Sequence, residues 1–264
     1  MGAHPGDSNP AQPLHERLQG EVPELSIVLP AYDEAERMRP RLPTVLEFLA
    51  ASPWSWELIL VDDGSRDDTA RVARELLSGA PQGRVISYAP NRGKGYAVRT
   101  GVLAARGRLV SYMDIDLSTP LAELTRAMEH IAQGADIVLG SRDLPESNIG
   151  TPQPAYRRLA ATAVRNIRKA LVGLPDLSDT QCGFKVMRRE AVVPLFERAI
   201  IDRFLFDVEL LYMARLAGLR LLEMPVEWHD VPGSKVRAGP VAIELATDLA
   251  RIRLAHGDTS YARP

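Results

Sequence analysis

Between residues 25 and 140, short apolar runs alternate with longer helical patterns, and the links between them are brief. The apolar runs lie at 25–29, 57–61, 84–88, 109–113 and 136–140. In the second run, Leu58-Ile59-Leu60-Val61 contains no polar residue, as expected of a strand that helices cover on both faces. The alternation therefore predicts an α/β fold built on a mainly parallel sheet.

Helical patterns separate these runs and continue after them. They lie at 44–50, 69–77 and 96–105, from Thr119-Pro120 onward, and at 155–172, 189–199, 205–217 and 240–255, with a late strand at 219–226. The first strand is expected to halt at Pro30. We find no internal repeat and no linker, so we expect one domain over 23–256, preceded by a disordered arm at 1–22 and followed by a tail at 257–264.

Composition narrows the classes of function. The 264 residues carry 32 Lys and Arg against 34 Asp and Glu, a net charge of −2, so no strong overall field attracts nucleic acid. A single cysteine, Cys182, excludes an intramolecular disulfide and a multi-thiolate metal site, and it fits a reducing cytoplasm. No apolar run approaches the roughly 18 residues of a membrane span, so we expect any membrane to be touched only at its surface.

Carboxylates follow three of the predicted strands, where ligands gather in open α/β sheets. They lie in Pro30-Ala31-Tyr32-Asp33-Glu34, Asp62-Asp63-Gly64-Ser65 and Asp114-Ile115-Asp116. Side chains two apart in an extended segment share a face, so Asp114 and Asp116 can point into one crevice. A divalent cation that carries diphosphate oxygens would offset their repulsion there. Single acids of this kind often only solubilise loops or cap helices, as we expect of Asp67 and Asp68.

Two basic elements adjoin these acids. In Asn91-Arg92-Gly93-Lys94-Gly95 the glycines would let backbone amides approach an anion, so Lys94 either contacts a phosphate or belongs to a loop that only turns the chain. The segment is neither a P-loop nor a dinucleotide fingerprint. Arg142, after the fifth run, either binds a phosphate through two guanidinium nitrogens or forms a surface ion pair.

Four segments taken in order, LSIVLPAYDEAER, ELILVDDGSRDDT, NRGKGYAVRTGVLAARG and MDIDLSTP, resemble the family 2 glycosyltransferases of the GT-A fold. That fold is a Rossmann-like α/β domain that binds a nucleotide sugar through an Asp-x-Asp motif. The later segments SDTQCGFKVMRREA, FLFDVELLYMARLAG and EMPVEWHDVPGSKV resemble the branch that glycosylates polyprenyl monophosphates. The dolichyl-phosphate β-glucosyltransferases are the most similar group and the mannose synthases the next. The resemblance covers about 25–255.

This resemblance implies an inverting hexosyltransferase that moves glucose from a nucleoside-diphosphate sugar to a dolichyl-type polyprenyl monophosphate, with Mg²⁺ or Mn²⁺ as cofactor. Two alternatives stay open, a mannose synthase that uses GDP-mannose and a family 2 enzyme with a non-lipid acceptor. Residues 23–143 would bind the donor, UDP-glucose or GDP-mannose. Residues 144–256, with a C-terminal helical elaboration, would face the acceptor and the membrane.

The residues that match the family pattern take their expected roles from it. The donor-binding residues would be Pro30, Tyr32, Glu34, Val61, Asp63, Asp114, Ile115, Asp116 and Ser118. Of these, Val61 and Asp63 would contact the base. Asp116 would hold the metal, and Asp114 would complete the metal site through a metal-bound water or hold the ribose.

On the acceptor side, the resemblance implies that Arg142 and Lys235 engage the diphosphate and the acceptor phosphate. The expected catalytic residues are then Asp116, Arg142 and Lys235. The chain departs from the mannose synthases before Lys235, where His229 replaces a basic residue.

No general base is assigned, because a phosphate monoester is already largely ionised at neutral pH, with a second pKa near 6. If a general base were needed, Asp207 and Glu209 would be the candidates for it. They lie in an apolar helical pattern, where a structural ion pair or a helix cap is an equal alternative.

A lipid acceptor has to be reached without a transmembrane helix. Residues 156–174 carry five basic residues and no acid, so this predicted helix either lies on an anionic leaflet or packs on the sheet with solvated arginines. The helical pattern at 240–255 has three possible roles, namely a second membrane-binding element, a core helix or a homodimer contact. We therefore expect a cytoplasmic protein bound peripherally to the cytoplasmic membrane face.

Overall fold

The computed structural model describes residues 22–150, 174–229, 241–257 and 261. The predicted arm at 1–22, apart from its last residue, the basic helix at 155–172 and Lys235 lie outside the described residues. Within the described part, no helix is both long and apolar enough to cross a membrane.

Among these residues, seven strands form a mixed sheet and two short strands form a separate parallel pair. The strands are β1 Leu25–Ala31, β2 Trp56–Asp63, β3 Gly83–Tyr88, β4 Leu109–Met113, β5 Ile137–Ser141, β6 Asn148–Ile149, β7 Phe184–Arg188, β8 Leu221–Pro225 and β9 Glu227–Trp228. The helices are α1 Ala35–Ala51, α2 Thr69–Leu77, α3 Lys94–Ala104, α4 Glu123–Ala132, α5 Arg189–Arg198, α6 Phe206–Leu216 and α7 Val241–His256.

The main sheet has the order β3-β2-β1-β4-β7-β5-β8, in which β7 runs antiparallel to both of its neighbours while the other pairings are parallel. Helices cover both faces, as the apolar strands predicted. In β2, Ile59 and Val61 join one core, while Leu58 and Leu60 join the core on the opposite face. The predicted α/β fold with a mainly parallel sheet is confirmed.

The first strand does not halt at Pro30, as the sequence suggested, but continues to Ala31. Its pairing with β4 ends at Val28, whereas its pairing with β2 runs on through Pro30 opposite Val61. Beyond Val28 this strand therefore has β2 as its partner within the described sheet, and a residue without an N–H is tolerated at such an edge.

Helix α1 begins at Ala35, well before the helical pattern that the sequence indicated at 44–50, although it contains Pro40 and Pro43. Each interior proline removes one helical hydrogen bond. The buried residues of the helix, Ala35, Met38, Leu42, Val45 and Leu49, follow one another at intervals of three or four. This continuous apolar face packs on the sheet and outweighs the two missing bonds.

Strand β7 was not predicted, because Lys185 interrupts the apolar pattern of Phe184–Arg188. Lys185 is nevertheless fully buried and pairs with Asp207 of α6. A charged residue with a buried partner thus occupies a position that apolar patterning would give to a hydrophobic one.

Of the two acids predicted to cap helices, Asp67 and Asp68, one does so and the other forms an ion pair. The Asp67 carboxylate accepts hydrogen bonds from the backbone N–H groups of Thr69 at 2.9 Å and Ala35 at 3.2 Å, the first residues of α2 and α1. Asp68 makes no cap hydrogen bond and instead pairs with Arg71 at 2.8 Å. One carboxylate therefore joins the N-termini of two helices.

Helix α7 places its apolar residues in two environments. Leu249 and Ile252 are buried in the core, whereas Leu254 is 84% exposed. The core alternative for this helix is confirmed at these two positions. Its contact with a membrane or a second copy stays a prediction.

Candidate active site

The carboxyl ends of β2, β1 and β4 lie side by side, and the loops that follow them interlock. Asp33 donates its N–H to Ser65 Oγ at 2.9 Å, and Arg66 donates its N–H to Asp33 Oδ1 at 2.7 Å. From α1, Arg41 Nε donates to the carbonyl oxygen of Asp116 at 2.7 Å. The three acid-bearing loops therefore converge on one edge of the sheet, as the sequence predicted.

The loop after β4 carries the Asp-x-Asp motif and is held from two sides. Ser118 donates its N–H to Asp116 Oδ1 at 3.0 Å, and between them Leu117 has a positive φ of 53°. The carbonyl of Ser118 accepts from His229 N–H at 2.8 Å. Together with Arg41, these contacts orient the Asp116 carboxylate at the sheet edge.

Asp114 lies against a glycine of β7's preceding loop. Its N–H donates to the Gly183 carbonyl at 3.1 Å, which continues the pairing of β4 with β7. A Cβ added to Gly183 would lie 2.1 Å from Asp114 Oδ2. Glycine at this position therefore makes the room that the Asp114 carboxylate occupies.

Lys94, the first residue of α3, places its ammonium 2.6 Å from Asp114 Oδ1. Desolvation alone would lower the pKa of Lys94, but the attraction of Asp114, Asp207 and Asp116 outweighs it and raises that pKa. The sequence left two interpretations of Lys94 open, a phosphate contact and a residue of a simple turn. The structure adds a third role. Lys94 is a charged partner of the Asp-x-Asp motif itself.

Asp63 organises the loop between β3 and α3. Its Oδ1 accepts from Tyr88 Oη at 2.9 Å and Arg92 N–H at 2.8 Å, and its Oδ2 accepts from Asn91 Nδ2 at 2.7 Å and Gly93 N–H at 2.9 Å. A carboxylate accepts about four hydrogen bonds, so these protein donors fill its capacity. The expected base contact at Asp63 stays a prediction.

Arg142 is held by a carboxylate that sequence reasoning did not single out. Its Nε lies 2.6 Å from Asp179 Oδ2, its Nη2 lies 3.0 Å from Oδ1, and its backbone N–H donates to the same group at 3.1 Å. Burial would raise the pKa of Asp179, but the Arg142 charge and hydrogen bonds lower it. The guanidinium also lies 5.7 Å from the Trp228 ring centroid. Arg142 thus forms a two-pronged ion pair with a buried acid rather than a surface pair.

Two of the predicted donor-binding residues, Val61 and Ile115, have their side chains turned away from the edge. Val61 packs in one core and Ile115 in the other, with 0% and 4% of their surfaces exposed. A ligand can therefore reach these two positions only through the backbone. Tyr32 and Glu34 are partly exposed beside Asp33.

The two acids of α6, Asp207 and Glu209, each bind a partner inside the protein. Asp207 pairs with Lys185 at 2.7 Å, and Glu209 accepts from the N–H groups of Ile200 and Ile201 at 2.8 and 2.9 Å. Both acids are nearly or fully buried, with 3% and 0% of their surfaces exposed. The ion-pair alternative is confirmed for Asp207, and neither acid lies open to an incoming acceptor.

A model of the family described as "Glycosyl transferase family 2" matches residues 26–196, from β1 to α5. The chain belongs to this family. As a glycosyltransferase it is 33% identical over 242 residues to the dolichyl-phosphate beta-glucosyltransferase ALG5A of Trichomonas vaginalis, an alignment that covers 88% of this chain and 73% of the relative. It is 32% identical over 263 residues to the dolichyl-phosphate beta-glucosyltransferase of Saccharomyces cerevisiae, covering 92% of this chain and 78% of the relative.

The fold of this glycosyltransferase is also that of a solved enzyme. Glucosyl-3-phosphoglycerate synthase of Mycobacterium tuberculosis, in complex with Mn²⁺, UDP-glucose and phosphoglyceric acid, aligns with a TM-score of 0.61 and 18% identity. The alignment covers 92% of this chain and 82% of the synthase. The predicted GT-A architecture is thereby confirmed.

The acids of the glycosyltransferase fit a divalent metal. Asp114 and Asp116 supply two carboxylates at an accessible edge, and Mg²⁺ commonly takes one or two carboxylates and completes its shell with substrate phosphates and water. Among the described residues, no group of three or more His, Cys, Asp or Glu is arranged to hold a metal ion, so two carboxylates would have to share the ion with the substrate. The Lys94 ammonium already places a positive charge at Asp114.

Sequence reasoning missed residues that act over long distances in the chain. Asp179, Gly183 and Lys185 all belong to one segment that resembles the family, but the resemblance gave these residues no individual roles. The available signal was Lys185, because a charge inside an apolar run requires a buried partner. Arg41 gave no local signal, since its contact with Asp116 exists only in the folded chain.

Proposed function

We propose that this glycosyltransferase transfers glucose from UDP-glucose to a dolichyl-type polyprenyl monophosphate with inversion at the anomeric carbon. The observation that carries the proposal is the Asp114–Asp116 pair, partly exposed at the sheet edge with an ammonium 2.6 Å from Asp114. The names of the two relatives support the sugar and the acceptor. The UDP-glucose in the M. tuberculosis synthase supports the donor.

On the donor side, the leaving diphosphate gains negative charge as the sugar departs. A Mg²⁺ or Mn²⁺ held by Asp114 and Asp116 would supply Lewis-acid stabilisation of that charge. Lys94, whose pKa is raised, stays protonated and places a fixed positive charge beside the same oxygens. Arg41 and Ser118 orient Asp116 before the donor arrives.

On the acceptor side, an ionised phosphate oxygen attacks the anomeric carbon while the bond to the diphosphate breaks. Because the phosphate monoester is largely deprotonated at neutral pH, no general base is required. A single displacement converts an α-linked donor into a β-linked product. We assign the acceptor phosphate to Lys235 and to Arg142, whose guanidinium plane Asp179 fixes.

The small sheet supports an acceptor region at one corner of the fold. Strands β6 and β9 pair in parallel, and Gly150 donates its N–H to the Trp228 carbonyl at 3.0 Å. Two points of the chain, one that precedes the basic segment at 156–174 and one that precedes Lys235, are therefore neighbours. His229, at the second of these points, is hydrogen-bonded to the Asp-x-Asp loop through Ser118. We propose that the basic segment binds the anionic membrane surface that holds the lipid acceptor, on the cytoplasmic face.

Calorimetry with UDP-glucose and GDP-mannose, each with and without Mn²⁺, tests the donor. We expect Mn²⁺-dependent binding of UDP-glucose, followed by release of UDP that depends on added polyprenyl phosphate. A preference for GDP-mannose would replace the glucosyl assignment with the mannosyl one. UDP release without a lipid phosphate, but with another acceptor, would contradict the polyprenyl assignment.

A further inference from the structure

Beneath the Asp-x-Asp edge lies a buried charged cluster that the proposed reaction does not use. Lys185 of β7 is fully buried, and its ammonium lies 2.7 Å from Asp207 Oδ1 and 3.0 Å from the Cys182 carbonyl oxygen. Tyr112 of β4 donates its hydroxyl to the same carboxylate. Tyr112 and Lys185 are a cross-strand pair, and Tyr112 stands two residues before Asp114.

Stability alone does not explain this cluster. Removing a charged group from water costs several kcal/mol, and apolar residues of similar volume often replace a buried ion pair without loss. Burial lowers the pKa of Lys185 to about 7 and raises that of Asp207, and a charge from outside the pair also acts on Asp207. The further charge that Asp207 meets is Lys94.

Packing brings the start of α6 against the start of α3. Tyr96 donates its N–H to the Asp202 carbonyl at 2.9 Å, just before α6 begins. A Cβ added to Gly95 would lie 2.6 Å from Cβ of Phe206, the first residue of α6. Asp207 follows Phe206, and Lys94 precedes Gly95, so the two charged residues lie in facing first turns.

The electrostatic effect runs in both directions. The Asp207 carboxylate adds to the attraction that Asp114 exerts on the Lys94 ammonium. In turn, the Lys94 charge opposes the rise that burial imposes on the pKa of Asp207. Lys94 is therefore paired with one acid of the Asp-x-Asp motif, and a second acid, Asp207, acts on its charge from beneath that motif.

The geometry points to Asp207 as a positioning residue that holds the Lys94 ammonium at the donor diphosphate, with Lys185 and Tyr112 fixing its carboxylate. The inference rests on the proposed function. A donor-bound metal that engaged Asp114 would weaken the attraction of that acid for Lys94. Asp207 keeps the ammonium at the edge, where it faces the phosphate oxygens.

A double-mutant cycle tests this inference, with UDP as the probe and Mn²⁺ present throughout. The variants are Asp207→Asn, Lys94→Gln and the double variant, and the measured quantity is the Kd for UDP by calorimetry. We expect each single substitution to weaken UDP binding about tenfold, and the double variant to bind no more weakly than Lys94→Gln. A structural role for Asp207 would not produce this lack of additivity.

Glu209→Gln is the matched control. It makes the same change from acid to amide on the same helix, and it also affects a fully buried group. The partners of Glu209 are the N–H groups of Ile200 and Ile201 and the ring of His256, and Lys94 is not among them. We expect a lower unfolding temperature with an unchanged Kd for UDP.

A further variant keeps the test valid if Asp207→Asn fails to fold with Lys185 unpaired. The combined replacement Lys185→Met with Asp207→Leu removes both buried charges, and we expect it to fold and to bind UDP as weakly as Asp207→Asn. UDP binding at the wild-type level in that variant, or additive effects in the cycle, would overturn the inference. Absence of Mn²⁺-dependent UDP binding by the wild-type protein would instead contradict the proposed function.

Discussion

At Gly183 a single added carbon would displace the first acid of the Asp-x-Asp motif. A Cβ there would lie 2.1 Å from Asp114 Oδ2, the far end of a flexible side chain. The carboxylate can therefore swing away while the backbone stays in place. We expect Gly183→Ala to weaken Mn²⁺-dependent UDP-glucose binding about tenfold by calorimetry, with an unfolding temperature close to that of the wild type.

Gly79 provides the control for this substitution. An added Cβ at Gly79 meets nothing within 4 Å, so Gly79→Ala is expected to leave both binding and stability unchanged. If Gly183→Ala bound UDP-glucose as tightly as Gly79→Ala, the position of Asp114 in the structure would be irrelevant to the donor.

At the scale of elements, Glu57 ties together the amino ends of several strands. It is 1% exposed, accepts from Ser26 Oγ of β1 at 2.6 Å, and pairs with Arg84 of β3 at 2.6 Å. Arg106, before β4, also donates its N–H to this carboxylate. One buried acid therefore links the three strands that carry the first part of the sheet.

The substitution Glu57→Gln is expected to lower the free energy of unfolding by about 2 kcal/mol, because one amide cannot satisfy all these donors. Burial would raise the pKa of Glu57, but hydrogen bonds from Ser26, Arg106 and Arg84 lower it. A lowered pKa in the folded state adds stability above the unfolded value of about 4.3, and this stability is lost as the pH falls through the folded pKa. Urea unfolding at pH 7 and across the acid range measures both effects.

Glu75→Gln is the comparison for that experiment. Glu75 lies on α2 with its side chain 62% exposed and only a surface partner, Arg71. We expect its unfolding free energy to match that of the wild type at pH 7. An acid dependence in Glu57→Gln as steep as in the wild type would assign that dependence to other groups.

The elements that the sequence predicted well are those whose buried positions hold no charged residue. Helix α2 and strand β4 have the predicted bounds, 69–77 and 109–113, and the polar residues that they bury, Thr69 and Ser111, are small and uncharged. Strand β7 escaped prediction because Lys185 interrupts its pattern. Helix α1 began earlier than predicted because its tertiary packing compensates for two prolines.

For the whole molecule, strand β7, which comes late in the chain, determines whether the N-terminal part can fold alone. It lies between β4 and β5, so these two strands are not neighbours without it. A chain ending at residue 150 therefore has an interrupted sheet and lacks Gly183 beside Asp114. We expect such a fragment to show no cooperative thermal unfolding and no UDP binding, measured by calorimetry. Coexpression with the remainder, 151–264, is the control that should restore both.

Cooperative unfolding and wild-type UDP affinity in the fragment alone would contradict the assignment of β7 to the sheet. The location of the site at the carboxyl edge could be predicted, since the alternation of strands with helices and the positions of the acids after the strands follow from local patterns. The partners of the site residues could not be predicted, because Asp179, Gly183 and Arg41 reach it from distant parts of the chain.

The bridge that Asp67 makes between the N-termini of α1 and α2 has a mechanical consequence. With Asp33 bonded to Ser65 and Arg66, and Glu34 bonded to Thr69 Oγ1 at 2.8 Å, the two loops are cross-linked at several points. Neither loop can shift by itself without breaking these bonds. The loops after β1 and β2 are therefore expected to move together, and a displacement that begins at either loop is transmitted to both helices.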